Sequence, residues 1–278
     1  MPELPEVETV VRGLREPLVG RTIGAVWVDR AKVIHRPSLE AFTARIQGQT
    51  VQAVHRRAKY IVCQLDHDLL VVHLKMTGRL YVVPDAVENE ADRWLRFRVQ
   101  LDNGHQLRFS DSRRFGRVYL AGDMMEIAPD LGPEPLEDEF TVEQFRERLA
   151  GRTRIIKALL LDQSFIAGVG NIYADEALHR AKIHPLRTAD SLSETEIARL
   201  YAIVRTVLRE GIEREGASVN WYRKPDGTTG KAQEHFYVYD REGQPCLTCG
   251  HPIEKIRVAQ RGTHYCPQCQ LKGTSDVK

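Results

Sequence analysis

Apolar residues near the start of the chain recur three and four apart, at Val7, Val10, Val11, Leu14 and Leu18, the spacing that lines one face of an amphipathic helix. Pro5 suits the first turn, where a missing N–H loses nothing, and Glu6 and Glu8 lie near the positive end of the helix dipole. The pattern then changes to short apolar runs at 21–28, 60–65, 69–74, 79–83, 95–101, 106–110 and 116–120, several of them separated by Gly, Asp or Asn turn signals such as LDNGHQ at 101–106. Many short strands in succession predict a sandwich or a barrel. LGPEPLEDEF at 131–140, with two prolines and four acidic residues, marks a linker. Helical patterns follow at 141–151, 154–163, 171–183 and 193–215, the last opened by a capping box of Ser193 and Glu196. Next comes a stretch rich in Gly, Pro and Lys at 216–233, then a cysteine module. The expected class is α+β and multidomain: a β domain at 1–130, a linker at 131–140, a helical domain with its loop at 141–235 and a metal hairpin at 236–272.

The length of 278 residues allows two domains, and 42% hydrophobic content supports a sizeable core. The formal charge of +2 hides basic clusters (HRRAKY at 55–60, RRFGR at 113–117, GRTRIIK at 151–157) between acidic stretches, so net charge by itself does not point to nucleic acid. There is no apolar run of about 18 residues and no charged-then-apolar signal pattern, so a cytoplasmic protein is expected. Cys246 and Cys249 form one pair of two-residue spacing and Cys266 and Cys269 another, with sixteen residues between the pairs. That spacing predicts a four-cysteine site for one structural zinc, and a reducing cytosol opposes the alternative of two disulfides. Cys63, inside YIVCQL, is expected in the core.

Three stretches carry chemistry. In MPELPE, removal of the initiator Met would leave Pro2 as a secondary amine, and an α-amino group with a pKa of about 7.7 to 8.0 is partly neutral and nucleophilic near pH 7. Such an amine can attack a sugar carbon and form an iminium without losing a second proton, with Glu3 beside it. In QSFIAGVGNIYADEAL, Gly168 and Gly170 allow close backbone approach and Asn171 sits where a helix N-terminus favours phosphate. Met76 in HLKMTG and Arg113, Arg114 and Phe115 in SDSRRFGR stand at strand ends, where apolar side chains flanked by arginines could wedge into a base stack.

Together these motifs resemble the formamidopyrimidine-DNA glycosylases, bacterial repair enzymes for oxidised purines. MPELPEVET, RRAKY, HLKMTG, RRFGR, LGPEPL, GVGNIYADEAL, QRGTHYCPQC and the paired cysteines follow that family's motifs in order over essentially the whole chain. The resemblance implies an N-terminal β-sandwich with a flanking helix, a helix–two-turns–helix domain and a zinc finger. It also implies a monomer that binds double-stranded DNA carrying an oxidised base or an abasic site in a cleft between its domains. Carried over position by position, Pro2 is the nucleophile at C1′ and Glu3 the general acid and base, while Glu6 orders the N-terminus. Lys59, His73, Lys157, Asn171 and Arg261 hold phosphates, with Lys59 and Arg261 assisting the eliminations. Met76, Arg113 and Phe115 fill the gap left by an everted nucleotide, and Arg114 and Arg152 from the basic clusters are further DNA contacts. Where the family carries histidines ahead of the strand at 95–101, this chain has DRWLRFRV, so Trp94 or Arg96 is expected in their place. The loop at 216–233 departs too, with TTGKAQ in place of a glycine and an aromatic residue, and is expected to read the everted base with backbone N–H groups. Endonuclease VIII, which shares the fold and prefers oxidised pyrimidines, is the enzymatic alternative, against which Leu4 and the RRF motif weigh. A non-catalytic zinc-dependent binder of distorted DNA is the alternative of another class, against which intact Pro2 and Glu3 weigh.

Overall fold

The computed structural model describes residues 1–219 and 221–272. The chain divides into two compact units, Met1–Asp130 with Arg214–Gln233, and Leu131–Glu213 with the chain from Glu234.

The first unit holds helix α1 (Leu4–Leu18), strands β1 (Ile23–Val28) and β2 (Ile34–Arg36), helix α2 (Leu39–Ile46), and strands β3 (Ala53–Arg57), β4 (Tyr60–Gln64), β5 (Leu69–His73), β6 (Gly78–Pro84), β7 (Leu95–Leu101), β8 (His105–Asp111) and β9 (Arg117–Ala121). They form a four-stranded sheet of order β1-β7-β8-β6 and a five-stranded sheet of order β2-β9-β5-β4-β3. The apolar face of α1 (Val7, Val10, Val11, Leu14, Leu18) enters one core with Ile61, Cys63 and Val72 of one sheet and Leu80, Phe97 and Phe109 of the other. The periodicity that predicts α1 is therefore the periodicity of its burial. Cys63 is fully buried, and burial pushes its thiol up to about 12. The turn at 101–106 joins β7 to β8, with Gly104 at φ 74°. β2, α2 and β3 escape the sequence pattern. β3 reads AVHRR because it is an edge strand, where polar side chains are tolerated.

The second unit holds α3 (Val142–Leu149), α4 (Ile156–Leu160), α5 (Asn171–Arg180), α6 (Glu194–Glu213) and a hairpin of β10 (Glu254–Val258) and β11 (Arg261–Tyr265). The capping box of α6 forms as read: the Ser193 N–H donates to Glu196 at 2.8 Å and the Glu196 N–H to Ser193 Oγ at 3.3 Å. No helix among the described residues is long and apolar enough to cross a membrane.

Two boundaries differ from expectation. Residues 131–140 are strapped to the second unit: the buried Arg205 donates to the carbonyls of Pro135 at 2.8 Å and Glu137 at 2.9 Å, and Phe140 is 3% exposed. Its acidic side chains mimic a solvated linker while its backbone is held. The loop at 216–233 groups with the first unit rather than with the helices, because its ends close on each other (Ala232 N–H to Gly216 O, 3.1 Å) and its start is held by Glu6.

Candidate active site and nucleic-acid interface

Pro2 and Glu3 are buried at the start of α1, with Glu3 as the N-cap. Glu6, 1% exposed, uses both carboxylate oxygens: Oε2 accepts the Glu3 N–H at 2.8 Å and Oε1 the Ala217 N–H at 2.7 Å. Gly216, at φ 77°, lies so close that a Cβ there would stand 2.9 Å from Glu6 Cγ. Only glycine fits that approach and that φ together. One side chain thus fixes the backbone at the N-terminus and the beginning of the loop.

Asp111, at the end of β8, organises a second group. Its Oδ1 accepts from the Thr77 hydroxyl and from the Arg113 N–H at 3.2 Å, and its Oδ2 from the Gly116 N–H at 2.7 Å. Gly78 pairs with Asp111 across the sheet, so the turn carrying Met76 and the turn carrying Arg113 and Phe115 meet at one end of it. Met76 is 41% and Phe115 50% exposed, and the Arg113 guanidinium stands 4.8 Å from the Phe115 ring centroid. Large apolar groups presented this way are available to insert into a partner. Arg114 instead turns to Asp29 at 3.4 Å.

A cavity of 360 Å³ lies beside this group, lined among others by Arg79, Ser110, Asp111 and Arg223 and by Trp94 and Trp221. The two indoles meet edge to face at 5.9 Å, with the Arg93 guanidinium 3.7 Å over the Trp94 ring. Arg96 is committed elsewhere: it donates to the Asp111 carbonyl and to Asp29, both at 2.9 Å. Of the two candidates to replace the histidine contact, Trp94 lines this cavity, whereas Arg96 lines a smaller one with Asp29 and Arg114.

Lys59 follows the left-handed Ala58 (φ 52°) in the β3–β4 turn and is 4% exposed. His73 ends β5, 6% exposed, accepting the Lys75 N–H on Nδ1 at 3.0 Å. Burial first, then the Lys75 and Lys59 charges, lower its pKa to about 3, so the ring is a neutral Nε2–H donor at physiological pH.

In the second unit Lys157 has no exposed surface, and its ammonium donates to Asp175 and, at 2.6 Å, to Thr263 Oγ1. Its charge faces inward, so it supports the hairpin instead of presenting an ammonium to solvent. Asp175 also accepts the His264 N–H at 2.9 Å, and Asn171 Nδ2 donates to Gly262 O at 2.9 Å. These contacts fix β11, whose first residue, Arg261, is exposed. The turn before it places Ala259 (φ 48°) and Gln260 (φ 62°) in the left-handed region, the signature of a two-residue type I′ hairpin. Arg152 is exposed, its guanidinium 5.7 Å from the Phe165 ring centroid.

Cys246, Cys249, Cys266 and Cys269 bring their sulfurs within 4.8 Å of one another, with Cys246–Cys269 at 3.9 Å and Cys249–Cys266 at 3.5 Å. A tetrahedron with Zn–S of about 2.3 Å has sulfur–sulfur edges of about 3.8 Å. The donor set therefore fits zinc, and all four cysteines are free of disulfides.

Family models match the chain along its length. The formamidopyrimidine-DNA glycosylase N-terminal domain matches residues 1–118, the H2TH domain of the same enzyme 131–223, and the zinc finger found in FPG and IleRS 243–271. The chain belongs to the formamidopyrimidine-DNA glycosylase family. The family's enzyme from Herpetosiphon aurantiacus is 50% identical over 97% of this chain and 100% of its own, and that from Protochlamydia amoebophila 45% identical over 98% and 100%. Among solved structures, Lactococcus lactis Fpg in complex with Fapy-dG containing DNA superposes with a TM-score of 0.89 at 35% identity, covering 97% of this chain and 100% of that one. The same protein with abasic-site DNA gives 0.89 at 36% identity, with coverage of 97% and 100%. Within this member of the family, sequence reasoning missed Asp111, Thr77, Asp175 and Arg205. These residues touch backbone and side chains of their own unit, and a lone Asp or Arg carries no periodic signal that would single it out.

Proposed function

We propose that the chain excises oxidised purines, 8-oxoguanine and formamidopyrimidines, from duplex DNA and then cleaves the strand at the abasic site. It is a bifunctional base-excision repair glycosylase and lyase, acting as a monomer and holding one structural zinc. The carrying observation is the clamp at Glu6, which holds the backbone of Glu3 and of Ala217 on one carboxylate.

Removal of Met1 converts the Pro2 nitrogen to a secondary amine. Its lone pair attacks C1′ as the glycosidic electron pair leaves with the base, and Glu3 delivers a proton to O4′ as the sugar ring opens. The product is an iminium, which acidifies the C2′ proton. Loss of that proton expels the 3′ phosphate, and a second elimination expels the 5′ phosphate. Lys59 and Arg261 act on the flanking phosphates as fixed cations that stabilise the developing charge. His73 and Asn171 position the backbone by hydrogen bonds, with Arg114 and Arg152 as outlying contacts, and Lys157 serves by holding β11. Eversion costs a few kcal/mol, offset by insertion of Met76, Arg113 and Phe115. The loop at 216–233 reads the everted base.

The test is borohydride trapping on a duplex with 8-oxoguanine opposite cytosine. Protein with a free Pro2 forms a covalent adduct, and protein with an uncleaved N-terminal extension forms none. Trapping and cutting by the extended protein would exclude Pro2 as the nucleophile.

A further inference from the structure

His179, in the last turn of α5, is 3% exposed and has no part in the chemistry above. Its Nε2 lies 3.4 Å from the Cys246 sulfur. Its ring packs against Tyr237, centroids 5.8 Å apart and planes at 34°. Its Nδ1 is buried with no hydrogen-bond partner. The same sulfur accepts the Thr248 N–H at 3.4 Å.

We propose that His179 is an outer-sphere residue of the zinc site, its Nε2–H donating to the Cys246 thiolate and tethering the metal module to α5. A zinc-bound thiolate has no proton, so only the imidazole can donate at this contact. The opposite neutral tautomer is penalised twice: it buries an Nδ1–H without an acceptor and sets the Nε2 lone pair against those of sulfur. An N–H···S bond withdraws charge from the sulfur, which makes the thiolate harder to protonate, and holds it in place against α5, so proton-assisted opening of its bond to zinc is slowed. Second-sphere partners of this kind are worth about 10–100-fold in metal affinity. The tether also completes a set. Asp175 and His179 are four apart and share a face of α5, Asp175 holding β11 and His179 holding Cys246. Between them Glu176 accepts the N–H groups of Tyr237, Val238 and Tyr239, each at 2.9 Å.

Two measurements on the zinc-loaded full chain test this. Long-range ¹H–¹⁵N spectra of labelled imidazoles should show His179 as the Nε2–H tautomer. His179→Phe, which keeps the ring packing, should purify with one zinc yet surrender it to excess EDTA about tenfold faster or more. His179→Gln, whose amide can donate to sulfur, should return the rate most of the way. An Nδ1–H tautomer in the native protein, or wild-type release from the phenylalanine variant, overturns the proposal. A glutamine variant as fast as the phenylalanine one overturns the hydrogen bond in favour of packing. Neither readout depends on glycosylase activity, and the spectrum decides even where a variant fails to fold.

Discussion

At Glu6 both carboxylate oxygens accept backbone N–H groups, one from Glu3 three residues away and one from Ala217, 211 residues away. Glu6→Gln keeps the shape and replaces one acceptor by a donor that faces an N–H. Leaving a buried donor unmet costs about 1–3 kcal/mol, so denaturant unfolding should show a loss of that size, with borohydride trapping reduced on both oxidised-base and abasic DNA. His73 makes a prediction in pH. Its folded pKa, lowered to about 3 chiefly by burial, lies below the ordinary imidazole value of 6.5. The unfolded chain therefore binds the extra proton first, and stability is lost as pH falls from about 6.5 toward 3, by at most about 1.4 kcal/mol per pH unit. Imidazole signals of His73 should not titrate between pH 5 and 8, and His73→Gln should flatten the acid limb of the stability curve; a midpoint near 6.5 would contradict the burial argument.

At the level of elements, the two turns that carry Met76 and the Arg113–Phe115 segment have no regular structure of their own. They are ordered by Asp111 and by two close approaches: a Cβ at Gly78 would fall 2.4 Å from Leu74 O, and one at Gly116 2.3 Å from Phe109 Cζ. Asp111→Ala removes the acceptor of two backbone N–H groups and the Thr77 hydroxyl, and should cost about 2–4 kcal/mol of stability. Replacing Met76, Arg113 and Phe115 together by alanine should leave stability nearly unchanged, because Met76, Arg113 and Phe115 are exposed. It should slow excision from duplex far more than cleavage at a preformed abasic site, where less unstacking is needed. Single-turnover rates on the two substrates check this, and equal losses would point to folding.

For the molecule as a whole, the zinc module is too small to bury a core of its own: its apolar cluster is Val238, Ile253, Cys246 and Cys266, with Cys269 against it. Metal binding must then supply much of its folding energy. Cys246→Ser should lower zinc content and DNA affinity together, whereas Arg261→Ala should lower affinity with zinc retained, as read by metal analysis and by titration with abasic-site duplex. Normal DNA binding by the serine variant would remove the hairpin from the interface.

What is periodic or contiguous was legible in the chain itself. The face of α1, most strands, the capping box of α6 and the cysteine spacing are local, and elementary chemistry reads them directly. The grouping of 214–233 with the first unit, the strapping of 131–140 by Arg205 and the inward turn of Lys157 were decided only by tertiary structure. In each, a polar side chain or polar segment that reads as solvated is instead satisfied by a partner far along the chain, such as Asp175 and Thr263 for Lys157. Burial of a charge depends on whether a partner is in place, and partners separated by tens to hundreds of residues leave no periodic trace in the sequence.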